Sequence, residues 1–350
     1  MRNAIRTLFL LVILASILCA TKSFAFDRST PPRERNAILF SWDGVQRDHL
    51  KECLKKNELP NLAALIREGR LVDIDVVGHQ TDTKAGHTQM LTGYEPETTG
   101  VYSNSKYRPI PVGYTVFEML QAQFGKNSIA TIMLTGKSHN IGSLGPDEVN
   151  MPKKKAKKRE RQIAAEYGEI AKLKLQKRQK FAAKKAANTN KEGEPWYRVK
   201  ANFTVWDGDK SRTADEVGPK CLEYLDKYGK GRFFAFFHFS DPDHKGHAHG
   251  ENSKEYNDAI IECDRWLGKI VDKLKADKLY EKTIIYVTAD HGFDEGLKSH
   301  KNAPYVFLAT NDPSVTKSGD QRDIVPTILT SLGADIKKVS PKLPGKVLME

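Results

Sequence analysis

Residues 233–250 of this 350-residue chain read FFAFFHFSDPDHKGHAHG. Its first seven residues, FFAFFHF, are almost entirely aromatic or apolar and predict a short buried β-strand. Two aspartates and three histidines follow within the next ten positions. A polar loop that caps a strand is the simplest interpretation, and it weakens only if other strands end in the same residue types.

Two other segments repeat this arrangement. Residues 37–42, AILFSW, lead directly into Asp43, and residues 284–289, IIYVTA, lead into Asp290 and His291. Ligand sites of open α/β sheets lie outside the carboxyl ends of the strands. Three apolar runs that each end in carboxylate or imidazole groups therefore favour one shared site over three unrelated loops.

Strand-like and helix-like segments alternate along most of the chain. The predicted strands are residues 36–41, 72–77, 128–134, 233–239, 283–288 and 306–309. The predicted helices are residues 115–124, 214–228, 254–275 and 323–332, with a further helical region before residue 69. This alternation predicts an α/β fold with a mostly parallel central sheet flanked by helices.

The polar residues after the aromatic strand are suited to a metal ion. Aspartate and histidine without cysteine form an oxygen and nitrogen ligand set that fits Zn²⁺ or a similar divalent ion. Asp243 and His247 are four residues apart, so one helical turn places them on the same face. Asp241 precedes a proline, which biases it to extended backbone and away from that turn. His244 and His249 are competing ligands.

A candidate nucleophile lies in residues 79–93, HQTDTKAGHTQMLTG, which change from small polar to apolar residues. A hydroxyl at the start of a helix gains from the positive helix end, which also favours an anionic substrate. Thr81, Thr83 and Thr88 are all candidates by composition, and N-capping is the alternative role of each. A threonine needs a metal to lower its pKa before it attacks at neutral pH.

Four motifs in order resemble the alkaline phosphatase superfamily, nearest the nucleotide pyrophosphatase/phosphodiesterase (type I phosphodiesterase) branch. They are WDG at residues 42–44, TDTKAGHTQMLTGYEPETTGVYSN at 81–104, PDHKGH at 242–247 and ADHG at 289–292. DIVPTILTSLGAD at 323–335 and LPGKVL at 343–348 resemble the final helix and strand of that superfamily. The resemblance implies an alkaline-phosphatase-like fold from about residue 36 to the C-terminus.

The resemblance also implies individual roles. Its nucleophile stands four residues before a histidine, which selects Thr83, and its phosphoryl-binding asparagine matches Asn104. It implies two divalent metal ions, Zn²⁺, with Asp43, Thr83, Asp290 and His291 as ligands of one and Asp243, His247 and His300 as ligands of the other.

The sequence departs from the family pattern beside the nucleophile. Gly86 stands where an asparagine is usual, and Ala85 and Thr88 stand at neighbouring aromatic positions. The resemblance therefore implies a small phosphate-ester substrate without specifying a nucleotide.

The resulting hypothesis is a metal-dependent phosphoric ester hydrolase of the phosphodiesterase/pyrophosphatase type with a phospho-threonine intermediate. A phosphomonoesterase or a phosphoryl-group transferase would use the same ligands. Lys137 is a candidate for binding the extra charge of a monoester, with a solvent-exposed loop lysine as the alternative interpretation, and Lys84 is a weaker candidate. A sulfatase is excluded because residues 83–87 lack the C/S-x-P-x-R run of that branch.

The N-terminus predicts export. Arg2 and Arg6 precede an apolar core at residues 8–20, and Ser-Phe-Ala at 23–25 resembles a cleavage site, so residues 1–25 are predicted to be a signal peptide. The protein is then periplasmic or secreted, and residues 26–350 form the catalytic domain. An uncleaved membrane anchor is the alternative, although the apolar core is short beside the roughly 20 residues of a membrane span.

The net charge of +12 is concentrated in one segment. Residues 153–185 hold 14 Lys or Arg and 3 Glu, within a predicted basic helical insertion at about residues 151–194. A solvated helix is the simplest interpretation, and contact with an anionic surface or polyanion is the alternative. The segment has few aromatic residues and glycines among its basic residues, so sequence-specific nucleic-acid binding is not expected. An exported binding protein that uses this insertion is the most distant alternative function.

Overall fold

The structure is a computed structural model that describes residues 25–149 and 192–350. Almost all of the predicted signal peptide and most of the predicted basic insertion lie outside these residues, and both stay predictions. Within the described ranges, no helix is both long enough and apolar enough to cross a membrane.

A mixed sheet forms the centre of the molecule, and in the described residues it has eight strands in the order β4-β3-β5-β1-β6-β7-β2-β8. The strands are β1 (Asn36–Trp42), β2 (Arg70–Asp75), β3 (Ala130–Thr135), β4 (Val205–Asp207), β5 (Phe233–Phe239), β6 (Thr283–Thr288), β7 (Tyr305–Thr310) and β8 (Gly319–Asp320). All neighbouring pairs are parallel except that β7 runs antiparallel to β6 and β2. The predicted α/β fold with a mostly parallel sheet is confirmed.

Helices connect and flank the strands. They are α1 (Arg47–Lys55), α2 (Pro60–Glu68), α3 (Thr83–Thr92), α4 (Pro96–Thr99), α5 (Val116–Phe124), α6 (Ser138–Ile141), α7 (Pro146–Val149), α8 (Ala214–Tyr228), α9 (Asp241–His249), α10 (Lys254–Ala276) and α11 (Ile324–Ser331). Short 3₁₀ turns lie at Pro32–Glu34, Lys200–Asn202, Tyr280–Lys282, Gln321–Asp323 and Ile336–Lys338.

The three central strands, β5, β1 and β6, are buried along their whole length. Parallel strands that are covered on both faces carry continuous apolar runs, which explains why these segments show no alternation of polar and apolar residues. Because the three strands are parallel neighbours, their carboxyl ends meet at one edge of the sheet. The polar residues that follow them are therefore brought together.

One local prediction is wrong. Asp241 was expected to be extended because a proline follows it, but it is the first residue of α9. The proline occupies the first helical turn, where a backbone N–H has no partner within the helix, so its missing N–H costs nothing there. Asp243 and His247 consequently lie one turn apart on α9, as their spacing predicts.

Candidate active site

Helix α9 and the loop after β6 form the first ligand group. Asp243 Oδ1 lies 3.4 Å from His247 Nε2 and 3.8 Å from His300 Nε2. The Nδ1 atom of His247 donates to the carbonyl of Lys298 at 2.9 Å, which directs Nε2 toward the other two residues. We call Asp243, His247 and His300 the α9 group; their ligand atoms lie within 4.8 Å of one another.

The ends of β1 and β6 form the second ligand group. Asp43, Asp290 and His291, which we call the β1/β6 group, are completely buried, and their ligand atoms also lie within 4.8 Å of one another. His291 Nδ1 donates to the carbonyl of Gly292 at 2.8 Å. In the neutral ring, Nε2 therefore carries the lone pair, 3.6 Å from Asp43 Oδ1 and 3.4 Å from Asp290 Oδ2.

Unpaired buried atoms show that these residues fit divalent cations. The atoms without a hydrogen-bond partner among the described residues include Asp43 Oδ1, Asp243 Oδ1, Asp290 Oδ2 and His291 Nε2. Buried polar atoms are normally paired, so four unpaired acceptors that face one another require a compensating group. Carboxylate oxygens and neutral imidazole nitrogens are a donor set that suits Zn²⁺.

The charges of the site favour the ligand forms of its carboxylates and of His300, whereas for His291 the lowering effect of burial on the pKa is outweighed by Asp290 and Asp43, which raise it. Burial raises the pKa of Asp43, but the Lys137 ammonium and the His238 ring outweigh it and hold that pKa well below its usual range. Burial and the neighbouring Asp43 raise the pKa of Asp290, whereas His291 and His87 outweigh them and lower it to about 2. Burial lowers the pKa of His300 to about 4, so its ring is neutral at neutral pH.

Thr83 is the first residue of α3, and its side chain is buried, with 1% of the residue exposed. Lys137 Nζ and Asn140 Nδ2 each lie 3.4 Å from Thr83 Oγ1. The hydroxyls of the two other candidate threonines are committed to backbone carbonyls, since Thr88 donates to Lys84 at 2.7 Å and Thr81 donates to His300. Of the three threonines, Thr83 alone directs its hydroxyl toward side-chain donors of the site.

The glycine at position 86 has a steric reason. Helix α3 approaches the end of β6 so closely that a Cβ atom at Gly86 would lie 2.2 Å from the carbonyl oxygen of Asp290. The departure from the family pattern at this position therefore allows α3 to pack against the β1/β6 group.

Lys137 lies inside the site, and the interpretation as a solvent-exposed loop lysine is wrong. The residue is 2% exposed, and its ammonium donates to Asp43 Oδ2 at 3.0 Å and to Asp243 Oδ2. Burial lowers the pKa of Lys137, but Asp243 and Asp43 outweigh it and raise that pKa above its ordinary value. A permanent positive charge therefore links the two ligand groups beside Thr83.

The Lys84 side chain points away from Thr83. Its ammonium donates to the carbonyl of His139 at 3.0 Å and to Glu194 Oε1 at 3.3 Å, and it lies 4.9 Å from the centre of the Tyr107 ring. Burial lowers the pKa of Lys84, and Glu194 counteracts this effect. Lys84 is therefore a buried structural cation that ties α3 to the segment after residue 191.

Glu194→Gln is expected to lower the free energy of unfolding by roughly 3–5 kcal/mol, because it leaves the Lys84 ammonium buried without its counter-charge. Lys84→Met combined with Glu194→Gln should recover most of this loss. Urea unfolding of the two single variants and the double variant measures the coupling. Equal losses for Glu194→Gln and for the double variant would contradict the structural role of the pair.

Asn104 is held at the N-terminus of α3. The side-chain oxygen Oδ1 of Asn104 accepts a hydrogen bond from the backbone N–H of Lys84 at 2.8 Å. The backbone N–H of Asn104 donates to Asp82 Oδ2 at 2.7 Å. With Oδ1 occupied in this way, the side-chain amide Nδ2 is the donor left for a ligand. The predicted phosphoryl-binding role of Asn104 is compatible with this placement.

The structure also shows site residues that the sequence analysis missed. Asn140 follows Lys137 on α6 and reaches Thr83, while His238 on β5 contacts Asp43. The available signal for His238 was its position as the single imidazole within a buried aromatic strand. His244 and His249, the competing ligands, are exposed and belong to neither ligand group.

Comparison with known proteins identifies the family. The family model for type I phosphodiesterase / nucleotide pyrophosphatase matches residues 37–319, which include every residue of both ligand groups and Thr83. The chain belongs to this family. The match confirms the resemblance that the four sequence motifs carry.

The chain is also similar to individual characterised proteins, at low sequence identity. Bis(5'-adenosyl)-triphosphatase enpp4 of Mus musculus is 23% identical over 279 residues, which cover 79% of this chain and 50% of that protein. A 2,3-bisphosphoglycerate-independent phosphoglycerate mutase of Clostridium kluyveri is 28% identical over 160 residues, or 42% of this chain and 29% of the mutase. The chain thus spans about half the length of the triphosphatase that it matches.

Solved structures share the fold. The sulfatase-like protein yidJ of Bacteroides fragilis superposes with a TM-score of 0.56 at 13% identity, covering 91% of this chain and 77% of yidJ. BT4656, solved in complex with D-glucosamine-2-N,6-O-disulfate, gives a TM-score of 0.55 at 13% identity, covering 90% of this chain and 79% of BT4656. The alkaline-phosphatase-like fold is thereby confirmed.

Proposed function

We propose that the protein is an exported, metal-dependent phosphoric ester hydrolase of the phosphodiesterase/pyrophosphatase type that forms a phospho-threonine at Thr83. The observation that carries the proposal is the placement of Thr83 Oγ1. It lies at the N-terminus of α3, and one lysine contacts this oxygen and a carboxylate of each ligand group. Membership of the type I phosphodiesterase family supports the reaction class.

Each residue of the site has a separate role in the proposed reaction. Thr83 Oγ1 gives up its proton and attacks phosphorus, and the bond from phosphorus to the leaving oxygen breaks, so that this oxygen takes up a proton from solvent and departs. The N-terminus of α3 and the Asn104 amide stabilise the negative charge on the phosphoryl oxygens. The oxygen of a water molecule then bonds to phosphorus while the bond between phosphorus and Thr83 breaks, so that the phosphate product is released and a proton of the water restores the Thr83 hydroxyl. Two bound Zn²⁺ ions would supply charge neutralisation and a lower pKa for the Thr83 hydroxyl.

The ligands proposed for these ions are the two groups described above. They are Asp43, Asp290 and His291 with Thr83 for one ion and Asp243, His247 and His300 for the other.

Two substrate classes are supported by different observations. The family and the relative named as a bis(5'-adenosyl)-triphosphatase support a diester or pyrophosphate bond. Lys137 supports a phosphomonoester instead, because a buried cation 3.4 Å from Thr83 Oγ1 matches the additional negative charge of a monoester. A phosphoryl-group transferase would use the same residues with a different acceptor.

The deciding experiment compares bis-p-nitrophenyl phosphate with p-nitrophenyl phosphate, using zinc-loaded wild type and Thr83→Ala. Faster hydrolysis of the diester, lost in the variant, supports the phosphodiesterase. The reverse preference assigns a phosphomonoesterase and makes Lys137 the next residue to replace. Absence of turnover on both esters, with metal bound, contradicts both hydrolase assignments and leaves a transferase or a binding protein.

Deletion of residues 150–191 separates the enzyme from the binding protein. The deletion retains Glu194, which pairs with Lys84 and accepts the N–H of Leu144 at 3.0 Å, because this contact belongs to the folded domain. An enzyme is expected to keep its turnover of small esters and to lose retention on a heparin column at low ionic strength. Loss of turnover in a variant that unfolds like the wild type would contradict a peripheral role for the insertion.

Export is proposed from residues 1–25 and has its own test. Expression of the full chain in a bacterial host, followed by mass measurement of the periplasmic protein, should show a chain that begins after Ala25. A full-length mass in the membrane fraction would instead indicate an uncleaved anchor.

A further inference from the structure

His238 occupies the middle of the sheet directly beneath the β1/β6 group. It lies on β5, where the register places it opposite Ser41 of β1 on one side and Thr135 of β3 on the other. The side chain is completely buried, and the His87 ring packs edge-on against it with 4.7 Å between ring centres. A buried imidazole in a strand of aromatic residues needs specific partners for both of its nitrogens.

Both partners are present, and they assign the tautomer. His238 Nε2 lies 2.9 Å from Asp43 Oδ2, and Nδ1 lies 2.9 Å from Thr135 Oγ1. The Asp43 carboxylate only accepts hydrogen bonds, so Nε2 carries the hydrogen. Thr135 Oγ1 already accepts the N–H of Lys137 at 3.0 Å, so its hydroxyl hydrogen is available to His238 Nδ1.

The result is a directed chain that runs from Thr135 through His238 to Asp43. Asp43 Oδ2 receives a hydrogen from His238 Nε2 and another from Lys137, which occupies that oxygen. Asp43 Oδ1 has no hydrogen-bond partner among the described residues and lies 3.6 Å from His291 Nε2. The two carboxylate oxygens therefore have separate roles, one anchored beneath the site and one presented to it.

We propose that His238 is a positioning residue that orients Asp43 for metal binding, with Thr135 selecting the tautomer of its ring. The inference rests on the proposed metal-dependent function. Outer hydrogen bonds of this kind orient ligands and raise their basicity, and their removal typically lowers metal affinity about 10–100-fold. No nitrogen of His238 is left for the metal itself, because both are committed to other groups.

Three substitutions at this position separate hydrogen bonding from packing. His238→Gln can place an amide N–H near the position of Nε2 and so retain the donor to Asp43. His238→Asn places its amide near Nδ1, where it reaches Thr135 but not Asp43. His238→Phe fills the cavity and matches the neighbouring phenylalanines, while Lys137 continues to neutralise Asp43.

The measurement is zinc affinity by competition with a chromophoric chelator, together with urea unfolding of each metal-free variant. We expect His238→Asn and His238→Phe to bind zinc about 10–100-fold more weakly than wild type, and His238→Gln to retain most of the affinity. Thr135→Val should weaken binding in the same direction, because it removes the group that selects the tautomer.

The outcomes distinguish this inference from the proposed function. Wild-type affinity in His238→Asn or His238→Phe overturns the inference, as does an equal loss in His238→Gln and His238→Asn. If His238→Phe does not fold, the comparison of the Gln and Asn variants still carries the test. A wild-type protein that binds no zinc contradicts the proposed metal-dependent function, and the inference fails with it.

Discussion

Replacing Thr83 by alanine is expected to lower kcat by at least about 10⁴-fold on whichever phosphate ester the protein hydrolyses. The substitution removes the only threonine hydroxyl of α3's first turn that faces the side-chain donors Lys137 and Asn140. Water would then have to attack phosphorus directly, without the covalent step that divides the reaction. Steady-state rates of the zinc-loaded proteins measure the loss.

Two further variants test whether the effect belongs to the nucleophile. Thr83→Ser keeps the hydroxyl and should recover a large part of the activity lost in Thr83→Ala. Thr88→Val is the matched control, because Thr88 lies on the same helix with its hydroxyl bonded to the Lys84 carbonyl at 2.7 Å. It should hydrolyse the ester at nearly the wild-type rate.

Acid quenching gives a second, independent readout for the same residue. Mass spectrometry of wild type that is quenched during turnover should locate a phosphate on the peptide containing Thr83. Activity in Thr83→Ala that approaches the wild-type rate, or a phosphate on another residue, would contradict a phospho-threonine intermediate at this position.

The sequence predicted the central part of the fold because it is encoded locally. The strands β1, β5 and β6 are continuous apolar runs that end in polar motifs, and each has almost the predicted bounds. Their adjacency was expected because all three end in carboxylate or imidazole residues, which favours one shared site at the carboxyl ends of neighbouring strands. The strand predicted at residues 72–77 is Arg70–Asp75 in the structure. A strand near the sheet edge that mixes polar and apolar residues marks its ends less clearly in the sequence than a buried strand does.

The sequence analysis did not predict that β7 runs antiparallel to the strands beside it. Antiparallel strands need no crossover helix between them, whereas parallel strands do. Residues 289–304, which join β6 to β7, contain no helix. They place His300 next to the other two members of the α9 group. The absence of a helical pattern in this segment was therefore a usable signal for strand direction.

Burial of Lys137 and the pairing of His238 with Asp43 were not predictable from their own segments. Lys137 is buried because Asp43 and Asp243 compensate its charge, and these residues lie 94 and 106 positions away in the chain. His238 is paired with Asp43 at a separation of 195 positions. A single sequence shows the residue types but not which distant groups will meet. An isolated lysine is therefore expected to lie on the solvated surface.

Replacing Asp243 by asparagine is expected to weaken metal binding by the α9 group. It keeps the size of the side chain but removes the charge that faces His247 at 3.4 Å and His300 at 3.8 Å. It also deprives Lys137 of one of its two carboxylate partners. We expect the zinc content to fall from about two equivalents to about one, and turnover to fall by more than the roughly 10²–10³-fold typical of losing one charge-stabilising donor.

Asp241→Asn is the matched control on the same helix. Asp241 is two residues away and belongs to neither ligand group, and burial raises its pKa to about 6, so the loss of its charge costs little. This variant should retain two equivalents of zinc and nearly wild-type turnover. Equal losses in the two variants would indicate damage to α9 as a whole, whereas full zinc content in Asp243→Asn would remove Asp243 from the metal site. A loss of zinc and turnover in Asp243→Asn alone identifies the Asp243 carboxylate as the one that the α9 group requires for metal binding.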